Sequence, residues 1–169
     1  RGRSRAPSSR ATAMKLTEIV SSGAIIANLN AKDRDAAVIE LIDALVAAGS
    51  ARPEARNELI GILLERERKS TTGFGAGIAV PHAKHKSVKR VCAAVGLSPG
   101  GLDFASIDLQ PVYSVVLLLS PDDKPEEHLQ AMEAIFKVLS QETFRRLLRQ
   151  AGTPDEVKAL LEEIDAQHV

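Results

Sequence analysis

The sequence is poor in the residues that mark several specialised classes of protein. Its 169 residues include one cysteine and no tryptophan, and only 3% are aromatic. One cysteine cannot form an internal disulfide, so a reducing, cytoplasmic location is expected. With so few aromatic side chains, the core must be built from leucine, isoleucine, valine and alanine, within the 44% of residues that are hydrophobic.

An excess of one charge and long apolar runs are also missing. Lysine plus arginine and aspartate plus glutamate both number 22, so the formal net charge is zero. A balanced charge gives no general affinity for nucleic acid or for membrane surfaces, and we expect neither as a partner. No apolar run approaches the roughly 20 residues of a membrane-spanning helix, so membrane insertion is not expected.

The first 13 residues, RGRSRAPSSRATA, differ from the rest in composition. They contain four arginines, three serines and no acidic residue, and they lack the apolar centre of a signal peptide. A basic arm for an acidic partner is one interpretation, but a disordered leader is favoured because nothing in the segment can pack. One domain is expected over residues 14–169, a length that can bury a single core.

Apolar patterning predicts the element order β-α-α-β-β-β-α-α-α. The first long helix should end near Gly49 and bury one face, made of Val38, Leu41, Ile42, Leu45 and Val46. The segment QPVYSVVLLLS is apolar almost throughout, as a central strand covered on both faces would be. Strands buried between helices indicate a three-layer α/β domain.

Two further amphipathic helices are predicted. The helix that begins near Pro53 is predicted to bury Leu59, Ile62 and Leu63, and Arg66 shares that face. A guanidinium that leans toward a core needs an anionic partner, although an arginine at a helix end can also extend to water. The helix PEEHLQAMEAIFKVLS begins at Pro125, and its predicted inward residues are Leu129, Met132, Ile135, Phe136 and Leu139.

A turn with three spaced glycines, Gly73, Gly75 and Gly77, precedes the predicted strand GIAVPH. It is not a P-loop, because Ile78 stands where lysine and a hydroxyl residue are required, and no helix follows as in a dinucleotide site. A tight turn that needs positive φ is the favoured interpretation. The alternative is close approach of the backbone to an anion.

His82 follows Pro81 at the predicted end of that strand. Because proline lacks an N–H, it should end the hydrogen-bonded ladder and leave His82 on a rigid platform. The carboxyl end of a strand is where ligands bind in α/β sheets. His82 is therefore a candidate functional residue rather than an ordinary surface histidine.

A zinc site formed by His82, His85 and His128 is an alternative worth testing. The first two are close in sequence but not on a helix, and no cysteine or acidic residue completes a recognisable ligand set. We therefore expect no metal and no other cofactor. His85 and His168 are expected to be plain surface residues.

His128 lies in the first turn of its predicted helix, where free peptide N–H groups and the helix dipole favour an anion. Alone it would be an ordinary helix-start residue beside Glu126 and Glu127. A neutral imidazole is a good nucleophile near pH 7, and Arg66, His128 and the hydroxyls of KSTTG could all surround a phosphoryl group. The combination suits transfer through a phosphohistidine.

The motif REx(4)TGFGAGIAVPHAK resembles the signature of a known family. It is similar to that of the fructose/mannitol-type IIA components of the bacterial phosphoenolpyruvate-dependent sugar phosphotransferase system, which include the nitrogen-regulatory IIA protein. The likeness extends from about Leu16 to Ala166. It implies a mixed sheet between helical layers, so the expected fold is a three-layer α/β/α sandwich with about four to five central strands.

The resemblance also implies roles for individual residues. In the family an arginine lies 16 residues before the active histidine and a second histidine lies about 46 residues after it, as Arg66 and His128 do relative to His82. His82 would accept phosphate from the carrier HPr. Arg66 and His128 would stabilise the phosphoryl charge, and Thr71, Thr72 and Gly73 would line the phosphoryl-binding site.

Two functions remain open after this comparison. The chain shows no IIB domain, and Cys92 lies in a predicted strand as a core residue, so a free-standing IIA protein is expected. One function is regulatory, with the phosphorylation state controlling target proteins. The other is transport, with His82 passing phosphate to a cysteine of a IIB protein. The absence of a IIB domain favours the regulatory function.

The glycine turn departs from the family pattern at Phe74 and Ala76, which occupy positions where relatives often have other residues.

Overall fold

Helices cover both faces of one mixed sheet over residues 14–167, the part of the chain that this computed structural model describes. The predicted leader of residues 1–13 and His168 lie outside the described residues. The helices are α1 (Leu16–Ile19), α2 (Arg34–Ala47), α3 (Arg56–Lys69), α4 (Pro125–Leu139), α5 (Glu142–Gln150) and α6 (Pro154–Gln167), with a 3₁₀ turn at Pro53–Ala55. The strands are β1 (Val20–Ile26), β2 (Gly73–Gly75), β3 (Ile78–Ala79), β4 (His82–His85), β5 (Cys92–Leu102) and β6 (Val112–Pro121).

The sheet has the order β1-β5-β6-β3-β2, and β4 also pairs with β6. β5 and β6 are antiparallel, whereas β1 runs parallel to β5, and both β3 and β4 run parallel to β6. The predicted three-layer α/β/α sandwich is therefore confirmed. Within residues 14–167 the sheet has six strands rather than four to five, because the glycine-rich segment contributes three short ones.

β6 is the central strand, as its apolar sequence predicts, and it is buried along nearly its whole length. Val115, Leu117 and Leu119 pack in one core with α2 and α3. Val116 and Leu118 point to the other face, where α1, α4, α5 and α6 pack. This alternation follows from the two-residue period of a strand, and it places helices on both faces of the sheet.

The buried stripe of two helices differs from the prediction. In α3 the buried residues are Leu59, Ile60, Leu63 and Glu67, whereas Ile62 is 37% exposed and Arg66 is exposed. In α4, Leu129 is 52% exposed. In both helices the buried stripe is rotated around the axis from the predicted face. Arg66 lies at the margin of this stripe, and its exposure fits the second interpretation of the sequence, an arginine near a helix end that extends to water.

The predicted strand GIAVPH is split in two at Val80 and Pro81. The amide of Leu118 donates a hydrogen bond of 2.9 Å to the carbonyl of Pro81, so β6 pairs across the interruption. His82 therefore opens β4 instead of ending a strand, which corrects the prediction, and it pairs with Leu118 near the carboxyl end of β6. Proline interrupts the ladder because it has no N–H to donate.

Candidate functional site

The His82 ring is half-buried and is held by the segment that joins β3 to β4. Its Nδ1 atom lies 2.8 Å from the carbonyl oxygen of Val80. Because a carbonyl can only accept, Nδ1 must carry the proton. In the neutral ring, Nε2 is then left with a free lone pair. The peptide geometry around Pro81 thus selects the tautomer in which the lone pair lies on Nε2.

His128 brings a second imidazole to the same place. Its ring centroid lies 5.7 Å from that of His82, and the two planes are inclined by 44°. His128 lies in the first turn of α4, and its Nδ1 atom is 2.7 Å from the hydroxyl oxygen of the buried Ser120 on β6. Among residues 14–167, the Nε2 atom of neither ring has a hydrogen-bond partner. The predicted pairing of these two histidines in space is therefore present.

The surroundings favour neutral rings. Burial lowers the pKa of His82 below its ordinary value of 6.5, and the positive charges of Arg66 and Lys84 lower it further. The hydrogen bond to Val80 and the charge of Glu67 act in the opposite direction. Burial also lowers the pKa of His128, and His82 and Lys84 add to that effect. Both rings are thus mainly neutral near pH 7, as a nucleophile requires.

Two cationic side chains lie close enough to affect these histidines. Arg66, near the end of α3, is exposed and acts electrostatically on His82. Lys84 is also exposed, and its charge affects both His82 and His128. Lys84 was not singled out from the sequence, although its position two residues after His82 on a strand places both on one face.

Glu67 is a second residue that the sequence interpretation missed. It is only 3% exposed, and its carboxylate accepts hydrogen bonds from the amide of Thr72 at 2.7 Å and from the Thr72 hydroxyl at 2.8 Å. The carbonyl of Thr72 in turn accepts from the amide of Val80 at 3.1 Å. A chain of contacts therefore leads from Glu67 through Thr72 and Val80 to His82. Glu67 follows Leu63 by four residues and Leu59 by eight, and this helical spacing was the sequence signal for its burial.

Thr71, Thr72 and Gly73 lie in this same segment, and their donors are used within the protein. The Thr71 hydroxyl donates to the carbonyl of Phe104 at 2.6 Å, and the Thr72 hydroxyl donates to Glu67. The Gly73 amide donates to the Thr71 hydroxyl oxygen at 3.0 Å. A Cβ on Gly73 would come within 2.3 Å of the Ser106 hydroxyl oxygen, so close packing requires glycine here.

The glycine turn has the strained backbone that the sequence predicts. Gly75, Ala76 and Gly77 all have positive φ, and the Ala76 value of 59° is unusual for a residue with a side chain. The amide of Ala76 donates to the carboxylate of Asp108 at 3.1 Å. A carboxylate of the same chain thus accepts from this amide. This supports the interpretation of the segment as a tight turn rather than as an anion-binding loop.

His85 is not the surface residue that the sequence suggested. It is 7% exposed, its Nδ1 atom accepts from the amide of Ser87 at 3.1 Å, and its Nε2 atom lies 3.1 Å from a Glu58 carboxylate oxygen. His85 and His82 are three residues apart on one strand, so their side chains leave opposite faces of the sheet. That separation rules out the ligand set of His82, His85 and His128.

No cluster of three or more metal-binding side chains occurs among the described residues. Cys92 is buried, as expected for a core residue, and burial raises the pKa of its thiol to about 11. A thiol with that pKa is a poor nucleophile at neutral pH. The reactive groups that remain together are two neutral imidazoles with nearby cations, an arrangement suited to accepting a phosphoryl group.

Comparison with known proteins also points to phosphoryl transfer. Residues 18–164 match the family described as "Phosphoenolpyruvate-dependent sugar phosphotransferase system, EIIA 2". A fructose-specific EIIA component of Haloferax volcanii is 35% identical over 78% of this chain and 84% of its own length. A nitrogen regulatory protein of Bradyrhizobium diazoefficiens is 31% identical over 88% of this chain and 95% of its own. A fructose-specific EIIABC component of Bacillus subtilis is 33% identical over 90% of this chain, which spans only 24% of that longer protein.

Solved structures of IIA proteins have the same fold as this chain. The nitrogen regulatory protein IIA-Ntr from Neisseria meningitidis superposes with a TM-score of 0.77 at 26% identity, over 86% of this chain and 98% of that one. The Escherichia coli complex of enzyme IIAMtl with phosphorylated enzyme IIBMtl has a TM-score of 0.70 at 24% identity, over 83% of this chain and 95% of that one. Within residues 14–167, no helix has the length and apolar character needed to cross a membrane. The chain belongs to the EIIA type 2 family of the phosphotransferase system.

Proposed function

We propose that His82 is the residue that carries the phosphoryl group, and that it accepts this group from a phosphorylated histidine of an HPr-type carrier. The observation that supports this most directly is the Nδ1 contact to the Val80 carbonyl at 2.8 Å, which leaves Nε2 free as the attacking atom. Family membership supplies the reaction class, and the lowered pKa of His82 keeps the nucleophile neutral.

The transfer exchanges one N–P bond for another. The lone pair of His82 Nε2 attacks phosphorus while the N–P bond of the donor histidine breaks, and the donor ring leaves with that electron pair. No proton has to leave His82, because Nε2 carries none. The positive charge that the ring acquires is stabilised by the Val80 carbonyl at Nδ1 and by the negative phosphoryl oxygens.

His128, Arg66 and Lys84 would stabilise the phosphoryl charge. Charge in such a transition state is spread over three oxygens, so positioned donors and cations do most of the catalytic work. The 5.7 Å separation of the two rings leaves His128 near a phosphoryl group on His82. Direct contacts from Thr71, Thr72 and Gly73 stay predictions, and they would require new contacts for donors that are engaged within the protein.

A regulatory role, in which phosphorylation of His82 controls binding to target proteins, is the first candidate for the physiological function. The likeness to nitrogen regulatory proteins over nearly their whole length supports it. Transport is the second candidate, supported by the likeness to a fructose-specific EIIA component and to a IIA protein in complex with phosphorylated IIB. A cytoplasmic location, where both candidates would operate, stays a prediction.

Reconstituted transfer tests the proposal. The chain is incubated with phosphoenolpyruvate, enzyme I and HPr, and intact mass spectrometry follows the gain of one phosphoryl group. The proposal requires labelling of the parent chain and none of His82→Ala. Addition of a fructose-type IIB protein then separates the two roles, because rapid loss of the label to a IIB cysteine indicates transport. Retention of the label favours regulation.

A further inference from the structure

A groove of about 460 Å³ lies toward the start of β6, away from the two histidines. Its residues from β6 are Tyr113 and Ser114, whereas His82 pairs with Leu118 farther along the strand. At about 3.3 Å per residue, four positions along the strand separate the two places by about 13 Å. Residues of α5 line it, and so does Asp108. We call this feature the arginine groove, for the α5 residues Arg145, Arg146 and Arg149 that line it.

The three arginines share one side of α5, because Arg149 follows Arg145 by four residues and Arg146 by three, and residues at these spacings are neighbours on a helix surface. Two of them are held in place. The guanidinium carbon of Arg149 lies 3.4 Å from the ring centroid of Tyr113, and Arg145 donates from Nη1 to the carbonyl of Leu139 at 2.9 Å. Arg146 is exposed. The groove therefore presents guanidinium groups that are partly ordered before any ligand arrives, which lowers the entropy cost of binding.

These charges are not neutralised within the described part of the chain. None of the ion pairs among residues 14–167 involves Arg145, Arg146 or Arg149. Asp108 lines the same groove, but its two carboxylate oxygens accept hydrogen bonds of 3.1 Å each, from the amides of Ala76 and Gln110. Glu142, the first residue of α5, is the other acidic residue of the lining, and among residues 14–167 it forms no ion pair with the three arginines. Three cations thus face two carboxylates, one of which is already hydrogen-bonded.

We propose that the arginine groove binds a small molecule that carries a phosphate group. A guanidinium fork matches phosphate oxygens in pairs, and a phosphate has enough charge and acceptors to engage more than one arginine. A volume of about 460 Å³ is in the range of small-molecule sites rather than of a surface that buries a protein segment. The proposal stands independently of phosphoryl transfer at His82, because it rests on different residues at a different place.

The test is a titration of the full chain with inorganic pyrophosphate, followed by amide and arginine side-chain NMR. We expect saturable shifts at Arg145, Arg146, Arg149 and Tyr113, with submillimolar affinity. Arg146→Gln should weaken the affinity by about tenfold, since it removes charge-assisted hydrogen bonds. Arg52→Gln changes an exposed arginine beside the opposite helical layer and should bind as the parent does. Arg146 is exposed, so its variant should melt at the parent temperature.

Four outcomes would overturn the assignment. Shifts centred on His82 and His128, and lost in His82→Ala, would place the anion at the phosphoryl-transfer site. Equal weakening in Arg52→Gln and Arg146→Gln, or affinity weaker than about 10 mM, would mean unspecific attraction to surface charge. A polyglutamate peptide that bound the groove more tightly than pyrophosphate would indicate an acidic protein partner instead of a small molecule.

Discussion

The rings of His82 and His128 lie 5.7 Å apart, and each is anchored through Nδ1, one to the carbonyl of Val80 and the other to the hydroxyl of Ser120. The Val80 anchor lies just before β4, and the Ser120 anchor lies on β6. The two strands pair in register, with His82 opposite Leu118. Both Nε2 atoms are therefore left for chemistry. The sheet register, rather than either histidine alone, creates the site.

This relationship predicts an uncommon tautomer for His82. A neutral histidine side chain in water prefers the proton on Nε2, but the Val80 carbonyl requires it on Nδ1. Nitrogen-15 NMR near pH 7.5 should show a protonated Nδ1 for His82, and the phosphorylated protein should carry phosphorus on Nε2. His85, whose Nδ1 accepts from the Ser87 amide, is an internal control and should show the opposite tautomer. A protonated Nε2 at His82 would contradict the proposed nucleophile.

His128→Ala should separate acceptance of the phosphoryl group from its onward transfer. The variant should still be labelled by HPr, because His82 is intact. Its onward transfer should be slower by roughly 10²–10³, the typical cost of losing one donor to a developing negative charge. Single-turnover transfer to IIB measures this rate. Ser120→Ala is the matched milder change, since it removes only the anchor of His128, and it should slow transfer less. Unlabelled His128→Ala would indicate that the two histidines have exchanged roles.

Arg66 can be tested against a neighbour on the same helix. Arg66→Lys should slow transfer from phospho-HPr, and Arg66→Ala should slow it further, because an ammonium matches phosphoryl oxygens less well than a guanidinium. Arg68→Ala removes another exposed arginine of the same helix, whose guanidinium lies 3.4 Å from Glu65, and it should transfer at the parent rate. Rapid-quench kinetics and a thermal melt would distinguish these cases. Parent-like rates in both Arg66 variants would exclude this residue from the site.

The pH dependence of stability follows from the lowered pKa of both histidines. The folded protein holds His82 and His128 neutral, whereas in the unfolded chain they take up protons near the ordinary pKa of 6.5. Below that pH the unfolded state binds more protons, so the free energy of unfolding falls as pH falls through 6.5 toward the folded-state values. Above it the stabilisation is complete. Urea midpoints at pH 7.5, 6.5 and 5.5 measure the effect, which should shrink in His82→Ala. An unchanged slope in that variant would contradict this account.

Much of the fold could be predicted because local patterns agree with it. The apolar run of β6 indicated a central strand, and Gly49, with φ of 80°, ends α2 as expected. Helix α1 could not be predicted, since four residues form a helix here with the help of Asp165, which accepts from the Leu16 amide 149 positions away. Such a contact leaves no local trace in the sequence.

The site was predicted unevenly for a related reason. His82, His128 and Arg66 carry chemistry that a sequence motif reveals. Glu67 and Lys84 act through where the backbone places them, and helix periodicity alone misplaced the buried stripe of α3 by favouring Ile62 over Ile60. His85 was misjudged because its burial depends on the packing of β4 against α3, which pattern reasoning does not include.

Glu67→Gln tests whether this buried carboxylate positions the site. An amide keeps the shape of the side chain, but it replaces one acceptor oxygen with a donor that faces the amide or hydroxyl of Thr72. An unsatisfied buried polar group costs about 1–3 kcal/mol of unfolding free energy. Because the carbonyl of Thr72 also accepts from the Val80 amide, transfer to His82 should slow as well.

The pKa of His82 distinguishes a positioning role from a purely structural one. The negative charge of Glu67 raises the pKa of His82. Removing that charge should therefore lower this pKa in an NMR titration, a change that a purely structural role would not produce. Glu65→Gln, on the exposed side of the same helix, is the control for stability and for rate. If Glu67→Gln lowered stability alone, with the parent rate and an unshifted His82 pKa, Glu67 would have no positioning role.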